Sequence, residues 1–328
     1  MGSTNATELA ARVLEGDRRA LAQAITLIES QRPEDRPPGR QLLEQLVPHS
    51  GKSLRIGISG VPGVGKSTFI ESLGNQLIDE GHKVAVLAVD PSSAVSGGSI
   101  LGDKTRMERL SQRTEAFIRP SPAGETLGGV ARRTRETMLI AEAAGFDIVL
   151  VETVGVGQSE TTVSQMTDMF LLMLLPGGGD ELQGIKRGIV ELADLILVNK
   201  ADGSMALTAE QSVTDYQKAL MFMHPRSANW EVPVKSCSAL QGKEMAEVWD
   251  IIKQFRDSQA ADGLIETNRA AQAKNWMWNE IRNGLVERLK ADAGVAAKAK
   301  ELEQAVTENT LSPTTAADEL MDLFKETK

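Results

Sequence analysis

Leu54-Arg55-Ile56-Gly57-Ile58-Ser59-Gly60-Val61-Pro62-Gly63-Val64-Gly65-Lys66-Ser67 decides how the rest of the chain is read. A short apolar run ends in glycines, and residues 60–67 match G-x-x-x-x-G-K-[ST] in full. The glycines let successive backbone N–H groups turn inward and cradle phosphate oxygens. A helix starting near Lys66 adds its positive dipole end. In that setting Lys66 reaches the β- and γ-phosphates, and the Ser67 hydroxyl is a Mg²⁺ ligand. Gly60, Val61, Pro62, Gly63, Val64, Gly65, Lys66, Ser67 and Thr68 are therefore the expected nucleotide contacts. The bland alternative, a glycine-rich turn with an exposed lysine, does not explain why a strand precedes the loop and a helix follows it.

Outward from this stretch the texture repeats. Apolar runs at 54–59, 83–89, 116–119, 147–152, 168–175, 194–199 and 232–236 alternate with helical stretches. Continuous apolar strands separated by helices indicate a mainly parallel sheet covered on both faces. The expected fold is α/β, a doubly wound domain over 51–257, whose ligand belongs at the carboxyl ends of the strands. Residues 1–50 read as a helical segment, with Leu21, Ala24, Ile25 and Ile28 on one buried face. Pro33, Pro37 and Pro38 break that pattern, and a short helix is expected over 42–47. Residues 258–328 read as a helical extension. Trp278, Ile281, Leu285 and Leu289 form a stripe at helical spacing, a helix follows over 300–307, and the last begins at Ser312-Pro313 and buries Leu320, Leu323 and Phe324.

Asn199-Lys200-Ala201-Asp202 ends another strand and has the form N-K-x-D. Guanine presents N1–H and N2–H₂ on one edge, and a carboxylate at Asp202 accepts both. Adenine offers nothing equivalent. Charge-assisted hydrogen bonds worth about 1.5–3 kcal/mol each give roughly 10²- to 10⁴-fold preference for guanine. Lys200 would lie across the base plane, and Asn199 would tie this loop to the phosphate loop. Ser238-Ala239-Leu240, after the last strand, supplies a backbone N–H for the guanine carbonyl; Cys237 beside it reads as packing.

Four acidic residues compete for places around Mg²⁺ and the attacking water: Asp90, Asp103, Glu152 and Asp180. Strand-end position favours Asp90 and Glu152. Glu152-Thr153-Val154-Gly155 resembles D-x-x-G with Glu in place of Asp, and Gly155 could donate an N–H to the γ-phosphate. Each carboxylate has a bland reading as a solvated side chain or helix cap. Asp103 and Glu152, with Lys66, are the catalytic candidates; Ser67, Asp90, Asp103 and Glu152 are the metal candidates.

The 328 residues are 41% hydrophobic and 25% charged, enough to bury a core, which excludes disorder throughout. Cys237 is the only cysteine, so a disulfide scaffold is excluded, and a single thiol suits a reducing compartment. A net charge of −9 argues against a nucleic-acid binder. The longest apolar run, 169–175, is far shorter than a bilayer helix needs, and no signal-peptide pattern opens the chain. The expectation is a cytoplasmic protein with no membrane partner.

Residues 60–68, Asp90-Pro91-Ser92-Ser93, 97–107, Glu152-Thr153-Val154-Gly155-Val156-Gly157-Gln158-Ser159-Glu160, 179–188 and 199–202 together resemble the MeaB/ArgK-type GTPases, methylmalonyl-CoA mutase-associated G proteins of the SIMIBI class. The resemblance implies a G domain binding GTP and GDP with Mg²⁺, low intrinsic hydrolysis, and a homodimer built through the C-terminal helices. It also implies a client, the adenosylcobalamin-dependent mutase, whose cofactor loading and protection the GTPase would control. Cobalamin would belong to the client. The 177–188 loop would be a further switch. Two other readings compete. A P-loop kinase would want an arginine-rich lid, for which Arg132, Arg133 and Arg135 are candidates. A metal-insertion GTPase would want a Cys/His cluster, and His49, His82 and His224 form none.

Overall fold

The computed structural model describes residues 5–30, 32–89, 107–120, 127–153, 159–177, 187–223, 226–227 and 229–326. They divide into two compact units, residues 1–269 and 270–328. The first is built on a seven-stranded sheet with the order β3-β2-β4-β1-β5-β6-β7 and every neighbouring pair parallel. The strands are β1 (Leu54–Gly60), β2 (Val84–Val89), β3 (Ala116–Arg119), β4 (Ile148–Thr153), β5 (Met169–Leu174), β6 (Leu195–Val198) and β7 (Val234–Ser236). β1, β2, β4, β5 and β6 are buried along their whole length. This is why their sequences are continuously apolar rather than alternating.

Alternate residues nevertheless enter two separate cores. Ile56, Ile58, Leu150 and Leu171 pack under α4 (Lys66–Asp79) and α9 (Met245–Ala261), against Phe69, Leu73, Trp249 and Ile252. Val149, Val151, Phe170 and Leu172 pack on the other face beneath α5 (Leu127–Ala143) and α6 (Ser159–Ser164). The amino-terminal helices α1 (Ala6–Leu14), α2 (Arg18–Glu29) and α3 (Arg36–Leu46) join that second core through Leu9, Val13, Leu21, Ile25, Leu42 and Leu46. α3 starts six residues before the expected 42. Pro37 and Pro38 sit in its first turn, where a missing N–H costs nothing, so they open the helix rather than interrupt the region.

The two sheet edges differ in chemistry. At the amino-terminal edge, the aspartate preceding a strand caps an N–H of its neighbour. Asp147 accepts from the Lys83 amide at 2.7 Å, Asp168 from Arg55 at 2.8 Å and Asp194 from Phe170 at 2.8 Å. Each is paired with a basic side chain: His82, Arg269 and Arg226 respectively. Behind Asp168, Arg55 makes a bidentate pair with Glu142 at 2.7 and 2.8 Å. Burial raises the Glu142 carboxyl, but Arg55, Ser53 and the Gly51 amide together hold it below the usual range. The carboxyl-terminal edge carries the motif residues. The short helix α7 (Arg187–Val190) and the longer α8 (Ala206–Leu220) flank β6 in sequence.

The second unit takes most of α10 (Leu264–Ala291), with α11 (Ala293–Thr307) and α12 (Pro313–Glu326) packed against each other. Ser312 caps α12, its Oγ accepting from the Thr315 amide at 3.1 Å. Leu320, Leu323 and Phe324 are half-buried, and the buried residue of α12 is Ala316. The helix pair is too thin to enclose them. Among the described residues, no helix is long and apolar enough to cross a membrane.

Candidate functional site

The phosphate loop leaves β1 at its buried carboxyl end and enters α4 at Lys66. Two of its glycines are dictated by close approach. A Cβ on Gly60 would lie 2.4 Å from the Met173 carbonyl oxygen of β5. Gly65 has φ +97°, and a Cβ there would lie 2.7 Å from Asn199 Nδ2. Lys66 is buried and folds back over the loop, its Nζ donating to Gly60 O at 2.7 Å and more weakly to Val61 O at 3.4 Å. Burial pushes its pKa down, and the nearby carboxylates of Glu152 and Glu160 oppose that. Pro62, Gly63 and Thr68 are exposed around it.

Glu152 pairs in register with Ile58 of β1 and Ala88 of β2. Its Oε1 accepts from Ser67 Oγ at 3.2 Å, so two oxygen donors 85 residues apart meet at the first turn of α4. Mg²⁺ favours such hard donors, taking one or two carboxylates and completing its shell with water and phosphate oxygens. The pair fits that ion. Asp90, Asp103, Gly155 and Asp180 lie outside the described residues. Among the described residues no group of three or more His, Cys, Asp or Glu side chains converges on a metal position.

Asn199 connects the phosphate loop to the rest of the site. Fully buried, it donates from Nδ2 to Val64 O at 2.8 Å and accepts at Oδ1 from the Ala239 amide at 3.0 Å. Lys200 follows with φ +62°, a left-handed conformation that costs a bulky residue about 1–2 kcal/mol and is typical of strain held at functional sites. The turn continues through Ala201, whose amide bonds Cys237 O at 3.0 Å. Ser238 Oγ donates to Asp202 Oδ2, fixing the carboxylate by one oxygen. The Ser238 and Ala239 amides are engaged by Lys243 O and Asn199, whereas the Leu240 amide bonds no described residue and its side chain is exposed.

The profile described as "Methylmalonyl Co-A mutase-associated GTPase MeaB" matches residues 21–294. The chain belongs to the MeaB family. Among its relatives, "GTPase ArgK" of Escherichia coli is 45% identical over 314 residues, covering 96% of this chain and 95% of that one. "Methylmalonic aciduria type A homolog, mitochondrial" of Mus musculus is 46% identical over 323 residues, covering 95% and 78%. The solved structure titled "LAO/AO transport system kinase" superposes with a TM-score of 0.79 at 37% identity, covering 99% of both chains. As a MeaB-family protein the chain is a P-loop GTPase, an enzyme that converts GTP and water to GDP and phosphate.

Two further groups stand beside the site at positions that carry no motif role. Glu160, buried in the first turn of α6, places a second negative charge near Lys66. Its signal lay in the run 152–160 but without a motif position of its own. Thr153 Oγ1 donates to Ser59 Oγ at 2.9 Å, tying β4 to β1 beneath the loop. Burial, with Glu244, pushes the Cys237 thiol up to about 12, so it stays protonated and packs against Asn199.

Proposed function

We propose that this GTPase binds an adenosylcobalamin-dependent methylmalonyl-CoA mutase and uses its nucleotide state to control the loading and protection of the mutase cofactor. The single observation behind this reading is the match to a mutase-associated GTPase family over 21–294, with both halves of a nucleotide site connected through Asn199. In the proposed site, backbone amides of residues 60–68 surround the phosphates. Lys66 exchanges its hold on Gly60 O for the β- and γ-phosphate oxygens, which relieves the burial of its charge. Asp202 accepts guanine N1–H and N2–H₂, with Lys200 over the base and an amide of 238–240 facing the guanine carbonyl. Ser67 and Glu152 would hold Mg²⁺, which when bound neutralises phosphate charge; Asp90 and Asp103 complete the proposed acidic set. Glu152 or Asp103 orients the water whose oxygen bonds the γ-phosphorus as the bridging oxygen leaves with GDP.

Residues 1–50, 51–257 and 258–328 would serve as support, G domain and dimerisation extension. Exposure of Met277, Trp278, Ile281 and Leu285 along α10 supports a homodimer, because a monomer gains nothing from a solvated apolar stripe. The test is capture of purified apo-mutase on immobilised protein loaded with GDP or with a non-hydrolysable GTP analogue. Nucleotide-dependent capture supports the reading. Equal absence of capture in both states, with GTP hydrolysis intact, removes the client.

A further inference from the structure

A groove of about 810 Å³ lies at the amino-terminal end of β7, lined by residues that precede the strand and by Val234, its first residue. It runs between the end of α8 and the segment Trp230–Val234. Its floor is apolar, with Leu220, Met223, Trp230 and Val232 half-buried, and Trp230 held in place by donating from Nε1 to Asp194 O at 2.8 Å. Met221 lines it and is 81% exposed, and Phe222, the next residue in the chain, is 82% exposed. Side chains of that size are rarely left so bare together unless something covers them. The charged groups lining the groove are Glu191 and Glu231, and no Lys or Arg lines it among the described residues.

We infer that this groove docks an amphipathic helix of a partner protein, one carrying basic residues beside its apolar face. Charge decides the occupant: an acidic rim on a chain of net charge −9 repels acidic segments and attracts lysine- or arginine-flanked ones. Shape agrees, since a groove lined by two methionines beside a fixed tryptophan adapts to helix side chains at i, i+3 and i+4. The position also matters. α8 begins four residues after Asp202 and ends at the groove, so one rigid helix of about 22 Å joins the base loop to the docking surface. No residue of the nucleotide site lies in the groove.

The experiment uses the full chain and fluorescence anisotropy. The probe is an 18-residue labelled peptide of leucine and lysine with one apolar helical face. The same peptide with glutamate for lysine, and one with two central prolines, are the comparisons. The lysine peptide should bind, and the other two should bind at least tenfold more weakly. Met221→Ser with Phe222→Ser should weaken the lysine peptide at least tenfold, and Glu231→Lys several-fold, with GTP hydrolysis unchanged in both. Equal binding of lysine and glutamate peptides, or indifference to both variants, overturns the inference. So does concentration-dependent self-association of the chain that the Ser variant abolishes, which would make the occupant a second copy.

Discussion

Asn199→Ala should loosen the phosphate and base loops together. The side chain is 2% exposed and satisfies two buried backbone groups, Val64 C=O and Ala239 N–H. Truncation leaves both without a partner, at about 1–3 kcal/mol each. A water entering the space left by the amide recovers part of this, so the loss is about 2–4 kcal/mol. In domains of this size each kcal/mol moves Tm by about 2–4 °C, so nucleotide-free variant protein should unfold about 5–15 °C lower. Binding must then rebuild the same geometry. If about 2 kcal/mol is spent on that, GDP affinity falls about 30-fold. Asn199→Asp separates the two contacts. A carboxylate still accepts from Ala239 but faces the Val64 carbonyl with a second oxygen, so it should be no better than alanine. Calorimetric unfolding and GDP titration check both values. A Tm within 2 °C of the parent with unchanged GDP affinity in Asn199→Ala would refute the bridging role.

Asp202→Asn should lower guanine preference by about 10²-fold, because its oxygen is claimed by Ser238 and its NH₂ then meets the donors of the base. Xanthosine diphosphate, with a carbonyl in place of N2–H₂, should gain affinity in the same titration. Lys66→Met should cut hydrolysis by at least about 10²-fold while leaving the nucleotide-free protein no less thermostable, since burial already disfavours the lysine charge. A drop in apo stability would show instead that losing the bond to Gly60 O outweighs the relief of burying the charge, and would contradict this prediction. Burial raises the Asp194 carboxyl to about 6 against an ordinary 3.8, outweighing Arg226 and the Phe170 amide. The folded state therefore holds this proton more tightly, so its contribution is present below about pH 4 and is lost as pH rises to about 6, about 3 kcal/mol in all. Asp194→Asn should flatten that part of the stability profile, measured by urea unfolding from pH 4 to 7; an unchanged slope would show that Asp194 ionises normally.

The sheet was legible because strands buried on both faces are written as uninterrupted apolar runs. All seven runs, from 54–59 to 232–236, became strands within one or two residues of the expected bounds. The phosphate loop was legible because its glycines are fixed by contacts, Gly60 against Met173 O and Gly65 against Asn199. Helix starts were less legible. Pro37 and Pro38 carry the same letters whether they end one helix or begin the next, and only the packing of Leu42 and Leu46 into the core decides. The aspartate caps at the amino-terminal sheet edge were not legible, since Asp168 and Arg269 are 101 residues apart and neither belongs to a periodic pattern. Neither was the fate of the α10 stripe: helical spacing gives an apolar face but not what covers it, and Trp278 and Leu285 remain exposed.

The most direct measurement is calorimetric titration of the full chain with GDP and with ADP, each with Mg²⁺, before and after Asp202→Asn. A connected guanine site requires GDP to bind at least about 10²-fold more tightly than ADP and the variant to lose most of that margin. Equal affinity for the two nucleotides, or a margin that survives the substitution, would contradict it.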